Sequence, residues 1–263
     1  MSRPRTLLAR LWPVPLAAAG AELVTRLAEA PYFPPPSVVL GRMAELWFSG
    51  PPGDLFLTQE ARDHLGPGLA RLLGSWAIAA AAGVALGFAL GRSPRLSGYL
   101  EPVLHFGRAV PPPTLLPLFL ALFQVGTQLQ MVTIVCGVIW PVLLNSLDGA
   151  RHVAPQYLET AQVFTLTRAQ RLLRVLLPAA APKIFAGLRV SMSLALILMV
   201  VSEFVGSTDG IGFSLLRAQR SFDIPGMWAC IALLGLLGLL LNTLLLLAER
   251  RLLAWHHRER QTT

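Results

Sequence analysis

Glu101, His105, Arg108 and Glu203 are ionisable residues set inside long apolar runs, with Arg189 nearer the inner end of another such run. A charge inside a membrane span is costly, so each is first a functional candidate. Glu101, His105 and Arg108 fall at i, i+4 and i+7, on one helical face. A guanidinium there could attract an oxyanion such as a sulfonate, whereas the Glu203 carboxylate would repel one. The plainer expectation is an internal pair, Arg108 with Glu203 or with Glu101, that stabilises or gates the helices, because intramembrane charges usually pair. Ser191, Ser193, Ser202, Asn145 and Gln124 are milder candidates for the lining of a pathway.

Other chemistry is poorly supported. His64, His105 and His152 are scattered along the chain, and no Cys/His cluster has metal-ligand spacing. Cys136 and Cys230 sit in apolar runs as small hydrophobes. His256-His257 lies in a basic tail, as a solvated pair. No G-x-x-x-x-G-K-[ST] phosphate loop occurs, so the chain is not expected to hydrolyse ATP by itself. No cofactor is expected.

A second group of residues lies in a polar, arginine-bearing segment between apolar runs, Glu159 to Pro178 (ETAQVFTLTRAQRLLRVLLP). Tyr157 to Phe164 can form a short helix with Tyr157, Ala161 and Phe164 along one face, an exposed apolar ridge in want of a partner. Thr167-Arg168-Ala169-Gln170 reads as a capping box opening a second helix. Leu177-Pro178 is expected to end that helix.

The elements that must position these residues are membrane helices. Of the 263 residues, 54% are hydrophobic and 14% are charged, against about 25% charged in soluble domains. Six spans are expected, near 7–27, 69–90, 99–123, 129–147, 184–204 and 227–247, in one all-α transmembrane domain over 1–263 with a cytoplasmic loop over 148–183. The first is interrupted by Pro13, Pro15, Glu22 and Arg26. It reads as a membrane helix with a basic flank rather than a cleaved signal. The third should be kinked by Pro111-Pro112-Pro113 and packed inside the bundle. A short helix is expected around Val38–Phe48, lying along the membrane. Gly83, Gly87 and Gly91 form a small-residue ridge suited to close packing, within the chain or between subunits.

The net charge of +8 comes from arginine clusters between apolar spans, which excludes nucleic-acid binding as its meaning. Arg3, Arg5 and Arg10, then Arg92 and Arg95, then Arg151 to Lys183, then Arg250 to Arg260 share one side if the N-terminus is inside. Both termini are therefore expected in the cytoplasm.

Glu159-Thr160-Ala161, three residues, Thr165, nine residues and Val175-Leu176-Leu177-Pro178 closely resemble the cytoplasmic "EAA" loop of ABC-importer permeases. That pattern is Glu-Ala-Ala, three residues, Gly, nine residues, Ile, any residue, Leu-Pro. The spacing is intact, while Thr160, Thr165 and Val175 replace Ala, Gly and Ile. Because the family glycine supplies a backbone angle that a β-branched residue adopts poorly, Thr165 implies an altered turn or a strained one. PPPSVVL at 34–40, EPVLHFGRAVPPPTLLPLF at 101–119 and PKIFAGLRVSMSLALILMVVSEFVGSTDGIGFSL at 182–215 are similar to segments of the nitrate, sulfonate, taurine and pyrimidine-precursor subgroup.

The resemblance implies a non-catalytic permease of the bacterial inner membrane. It implies two ATP-binding subunits that dock on a coupling helix, with Glu159, Thr160, Ala161, Phe164, Thr165, Leu177 and Pro178 as its contact and framing residues. It further implies an external substrate-binding protein and a second, identical permease chain related by a two-fold axis in the lipid bilayer. Two other classes remain open. An ion-coupled carrier would need inverted repeats, and only a weak echo between AAGVALGFALG and ALLGLLGLLLN is present. A membrane-embedded enzyme would need a catalytic cluster near one face.

Overall fold

The computed structural model describes residues 12–253, whose regular elements are all helical, with no strand among them. Arg3, Arg5, Arg10, the start of the first expected span, His256-His257 and the basic residues after them lie outside the described residues. The chain divides into two compact units, residues 1–67 with 208–236, and residues 68–207 with 237–263.

The first unit contains α1 (Pro13–Ala28) and α2 (Pro36–Met43), which continues through a wide π turn at Ala44–Phe48. This is the short helix expected around Val38–Phe48. The Glu22 carboxylate on α1 accepts the Ser37 amide at 2.9 Å and the Ser37 hydroxyl at 2.6 Å, capping the N-terminus of α2. Arg42 on α2 pairs with Asp223 at 2.7 Å, and Trp228 Nε1 donates to the Tyr32 carbonyl at 2.9 Å. Between these, Arg217 pairs with Glu60.

The second unit holds the longest pairing. α3 (Gln59–Gly91) begins ahead of the expected Leu69, and its part from residue 68 onward belongs here. With it come α4 (Pro94–Ala109), α5 (Leu116–Phe123), α6 (Thr127–Arg151), α7 (Pro155–Val163), α8 (Arg168–Arg171) and α9 (Leu177–Glu203). α10 (Ile211–Arg220) is in the first unit, and α11 (Ile224–Leu252) runs from the first into the second.

α6 is the hub of the second unit. The glycine ridge of α3 lies directly on it: a Cβ at Gly87 would sit 2.2 Å from the Leu143 carbonyl oxygen, and one at Gly91 would sit 2.4 Å from that of Leu147. The ridge therefore packs helices within one chain. α9 also approaches α6 closely, since a Cβ at Gly187 would stand 2.8 Å from the Pro141 carbonyl oxygen. Lipid supplies no hydrophobic drive between helices, so close backbone approach with dispersion contact is what holds them. Phe88, Ala150, Val153, Leu176, Ala180 and Ile184 form a buried cluster at one end.

Among the described residues, four helical stretches are long and apolar enough to cross a bilayer, and a fifth is reached if the bent pair α4 and Pro112–Phe123 is one span. Six were expected. The difference is α1, whose described part has 16 residues and is short of the roughly 20 a crossing needs. The third expected span is kinked, by 83°. It is not packed inside this chain, since Tyr99 is 84% and Phe106 73% exposed.

Leu177-Pro178 does not end a helix. Helical backbone runs without a break from Arg168 to Glu203. A π turn at Leu172–Leu176 precedes the proline, and the Leu177 amide bonds back to the Leu172 carbonyl. The extra residue in that turn widens the coil where the Pro178 ring would clash with the preceding turn, so the missing N–H and the ring are both accommodated.

Candidate functional site

The segment from Pro155 to Leu176 is built from three local devices. Pro155 opens α7 at its first position, where its missing N–H costs nothing. α7 closes in a complete Schellman turn: the Leu166 amide donates to the Ala161 carbonyl at 3.0 Å and the Thr165 amide to the Gln162 carbonyl at 2.9 Å. That turn requires a left-handed residue, and Thr165 fills it at φ 48°. Of the two possibilities raised by the sequence, the turn is thus retained and Thr165 carries the strain. The expected capping box then starts α8, with the Gln170 amide donating to Thr167 Oγ1 at 3.3 Å and the Thr167 amide to Gln170 Oε1 at 3.0 Å.

The apolar ridge differs from the expectation. Tyr157 and Phe164 are exposed, at 49% and 70%, but Ala161 is buried at 3%. Leu158 packs on the buried Phe88–Ile184 cluster, so α7 turns its Leu158–Ala161 side inward. Val163, 79% exposed, takes a place on the outer face. Glu159 is exposed, and Thr160 returns its hydroxyl to the Gln156 carbonyl at 2.8 Å. A cavity of about 570 Å³ beside α7 is lined by Tyr157, Ala161, Phe164, Arg174, Val175 and Pro178, and Leu177 is partly exposed nearby.

The intramembrane charges are arranged differently from the expected pair. Arg71 on α3, not Arg108, donates to the Glu203 carboxylate, at 3.0 Å, with both side chains buried. Glu203 ends α9 against α3, and Trp76 Nε1 of α3 donates to Ser191 Oγ of α9 at 2.9 Å, so two polar links join the same helices. Arg108 lies on the exposed side of α4 and pairs with no carboxylate among the described residues. Glu101 and His105 do approach, at 3.9 Å, on that same exposed helix. Ser191, Ser202 and Asn145 are engaged locally, the last two with the Met199 and Pro141 carbonyls. Arg71 was missed by sequence reasoning because it stands just inside the start of an apolar run. The available signal was that Arg71 and Glu203 both lie within a few residues of span ends facing the same side.

No group of three or more metal-ligating side chains is found among the described residues.

Residues 79–254 match the family described as "Binding-protein-dependent transport system inner membrane component". The chain is 32% identical over 225 residues to the taurine transport system permease protein TauC of Escherichia coli (strain K12), covering 86% of this chain and 80% of that one. It is 31% identical to the putative aliphatic sulfonates transport permease protein SsuC of Bacillus subtilis (strain 168), covering 78% and 74%. With the nitrate import permease protein NrtB of Leptolyngbya laminosa it shares 35% identity over 67% and 63% of the two chains. In fold it is similar to a chain of an inward-facing MetNI methionine ABC transporter, with a TM-score of 0.57 at 18% identity, over 72% of this chain and 94% of that one. The helices, the framed segment at 155–178 and these likenesses lead to one assignment: the chain belongs to the binding-protein-dependent transport system inner membrane component family, as a multi-pass, non-catalytic ABC-importer permease subunit that works with a separate ATP-binding subunit and a substrate-binding protein.

Proposed function

We propose that this permease imports a small oxyanion of the sulfonate or nitrate class. It works as a pair of identical chains, driven by two ATP-binding subunits that dock on the outer face of α7, with both termini on that cytoplasmic side. The observation that carries the docking role is the frame of α7, a Schellman turn at Thr165 followed at once by the Thr167–Gln170 capping box. It fixes an amphipathic helix with Tyr157, Val163 and Phe164 turned outward beside a groove, the form of a helix-in-groove contact. Glu159, Thr160 and Phe164 meet the partner in this reading, while Ala161, Thr165, Leu177 and Pro178 hold the frame. The anion class is supported by the taurine, sulfonate and nitrate named for the relatives and by Arg108, exposed on α4 beside Glu101 and His105. Glu203 belongs to the fastening of α3 to α9 rather than to solute.

Two substitutions and one transport assay test this. Phe164→Asp should leave the melting temperature of the purified chain unchanged while abolishing co-purification of its ATP-binding subunit. Assembly and uptake at wild-type levels in Phe164→Asp would remove α7 from the coupling role. Uptake of labelled taurine, methanesulfonate and nitrate into cells expressing the whole system should show at least one saturable substrate, reduced by Arg108→Ala. Failure of all three to enter, or to compete for entry, would overturn the anion class.

A further inference from the structure

A second groove in the residues 68–207 unit, of about 620 Å³, is lined by no residue of the outer face of α7, although Leu177 of its frame borders it. Its charged lining is Arg92, Arg168 and Arg171, and its apolar lining includes Phe88, Leu172 and Leu176. The order along the chain separates the two kinds. α3 enters the groove with apolar side chains and leaves it at Arg92, just past its last residue. α8 enters with Arg168 and Arg171 and continues into Leu172 and Leu176. Each helix therefore carries arginine at its loop end and apolar side chains one to two turns further along. Both continue into stretches long and apolar enough to cross the bilayer.

Among the described residues these cations have no acidic partner. No carboxylate lines the groove, and neither Arg168 nor Arg171 forms an ion pair among the described residues. Arg171 Nε is buried without a hydrogen-bond partner among those residues, and Arg92 reaches only the Ala150 carbonyl, at 3.4 Å. A buried donor left unmatched is costly and points to a missing acceptor.

We propose that this groove binds an anionic phospholipid, with the arginines on the headgroup phosphate and an acyl chain along Phe88, Leu172 and Leu176. Basic pockets between membrane helices at the cytoplasmic boundary suit such headgroups. Free phosphate would use the arginines but leave the apolar half unmatched. A phospholipid meets both halves and is already present where α3 and α9 enter the bilayer. The inference rests on the chain being a membrane component and not on its substrate.

Native mass spectrometry of the detergent-solubilised permease, with phosphatidylglycerol, phosphatidylcholine of the same chains and inorganic phosphate as probes, tests it. Phosphatidylglycerol should be retained in preference to phosphatidylcholine. Arg168→Gln should weaken its binding about fivefold, and the triple change Arg92→Gln, Arg168→Gln, Arg171→Gln about a hundredfold, at roughly fivefold per arginine. Arg168→Lys should keep most of the affinity. Arg168 is exposed, so that single change decides the matter if the triple variant does not fold. Equal binding of both lipids, or an Arg168→Gln variant with unchanged phosphatidylglycerol affinity, would overturn the proposal. So would displacement of the lipid by an equal concentration of inorganic phosphate. Loss of ATP-binding-subunit assembly in the arginine variants with lipid binding intact would assign the groove to that protein instead.

Discussion

The Glu203 carboxylate accepts a hydrogen bond from the Arg71 guanidinium at 3.0 Å, although 132 residues separate them and both are buried. Breaking a buried pair from one side leaves an uncompensated charge and costs about 3–5 kcal/mol. Arg71→Met and Glu203→Met should each lower stability by that amount, measured as unfolding in one detergent. The double change should recover most of the loss. Arg108→Met, on an exposed face, should stay within about 0.5 kcal/mol of wild type. A double variant no better than its worse parent would mean the pair is not what holds α3 to α9.

The close approach of α3 and α6 predicts a steep local cost. Gly87→Ala places a methyl 2.2 Å from the Leu143 oxygen and 2.9 Å from Ser146 Cβ, so backbone must move. The expected destabilisation is about 1–3 kcal/mol. Gly238→Ala, with nothing within 4 Å, should be close to neutral. Similar melting temperatures for the two variants would remove the ridge as a packing surface.

Thr165 at φ 48° holds a conformation that costs an L-residue about 1–2 kcal/mol. Thr165→Gly should therefore tighten the turn, by about 1 kcal/mol after the greater chain entropy of glycine is set against it. Hydrogen exchange at the Leu166 amide, which closes the turn on Ala161, is the direct readout. Faster exchange in Thr165→Gly would contradict the strain.

Outside the spans, the Arg42–Asp223 pair gives a pH dependence. Burial pushes the Asp223 carboxyl up, but the Arg42 guanidinium and the Gly226 amide, which donates at 2.9 Å, outweigh it and hold the group below its ordinary value. A depressed folded value means stability that is present above the unfolded value of about 3.9 and is lost as pH falls through the folded one. The stability gap between wild type and Asp223→Asn should be full at pH 7 and close progressively below about pH 4. A gap that stays constant down to pH 3 would show that the charge of Asp223 does not matter.

Features set by neighbouring residues were legible in the sequence. The capping box of Thr167 and Gln170 needs only residues three apart, and both bonds are present. The core spans at 129–147, 184–204 and 227–247 are long apolar runs, and each lies within or close to one helix. Features that depend on tertiary choice were not. Spacing cannot say that Glu203 would meet Arg71 rather than Arg108, because the choice is made by which helix packs on α9. Nor does the period of α7 reveal that Ala161 faces inward. That follows from Leu158 finding the Phe88–Ile184 cluster. The proline at 178 reads as a stop by local rules, and only a change of winding just before it lets the helix continue.

That change of winding has a mechanical result. Because the coil survives Pro178, the backbone from Arg168 to Glu203 is one rod of 36 residues, about 54 Å long. One end begins at the capped turn beside α7, and the other ends in the buried grip of Arg71. A tilt imposed at the first end would meet no break at Leu177-Pro178 in which to dissipate, so it would reach the far end as leverage on the contact between Glu203 and Arg71.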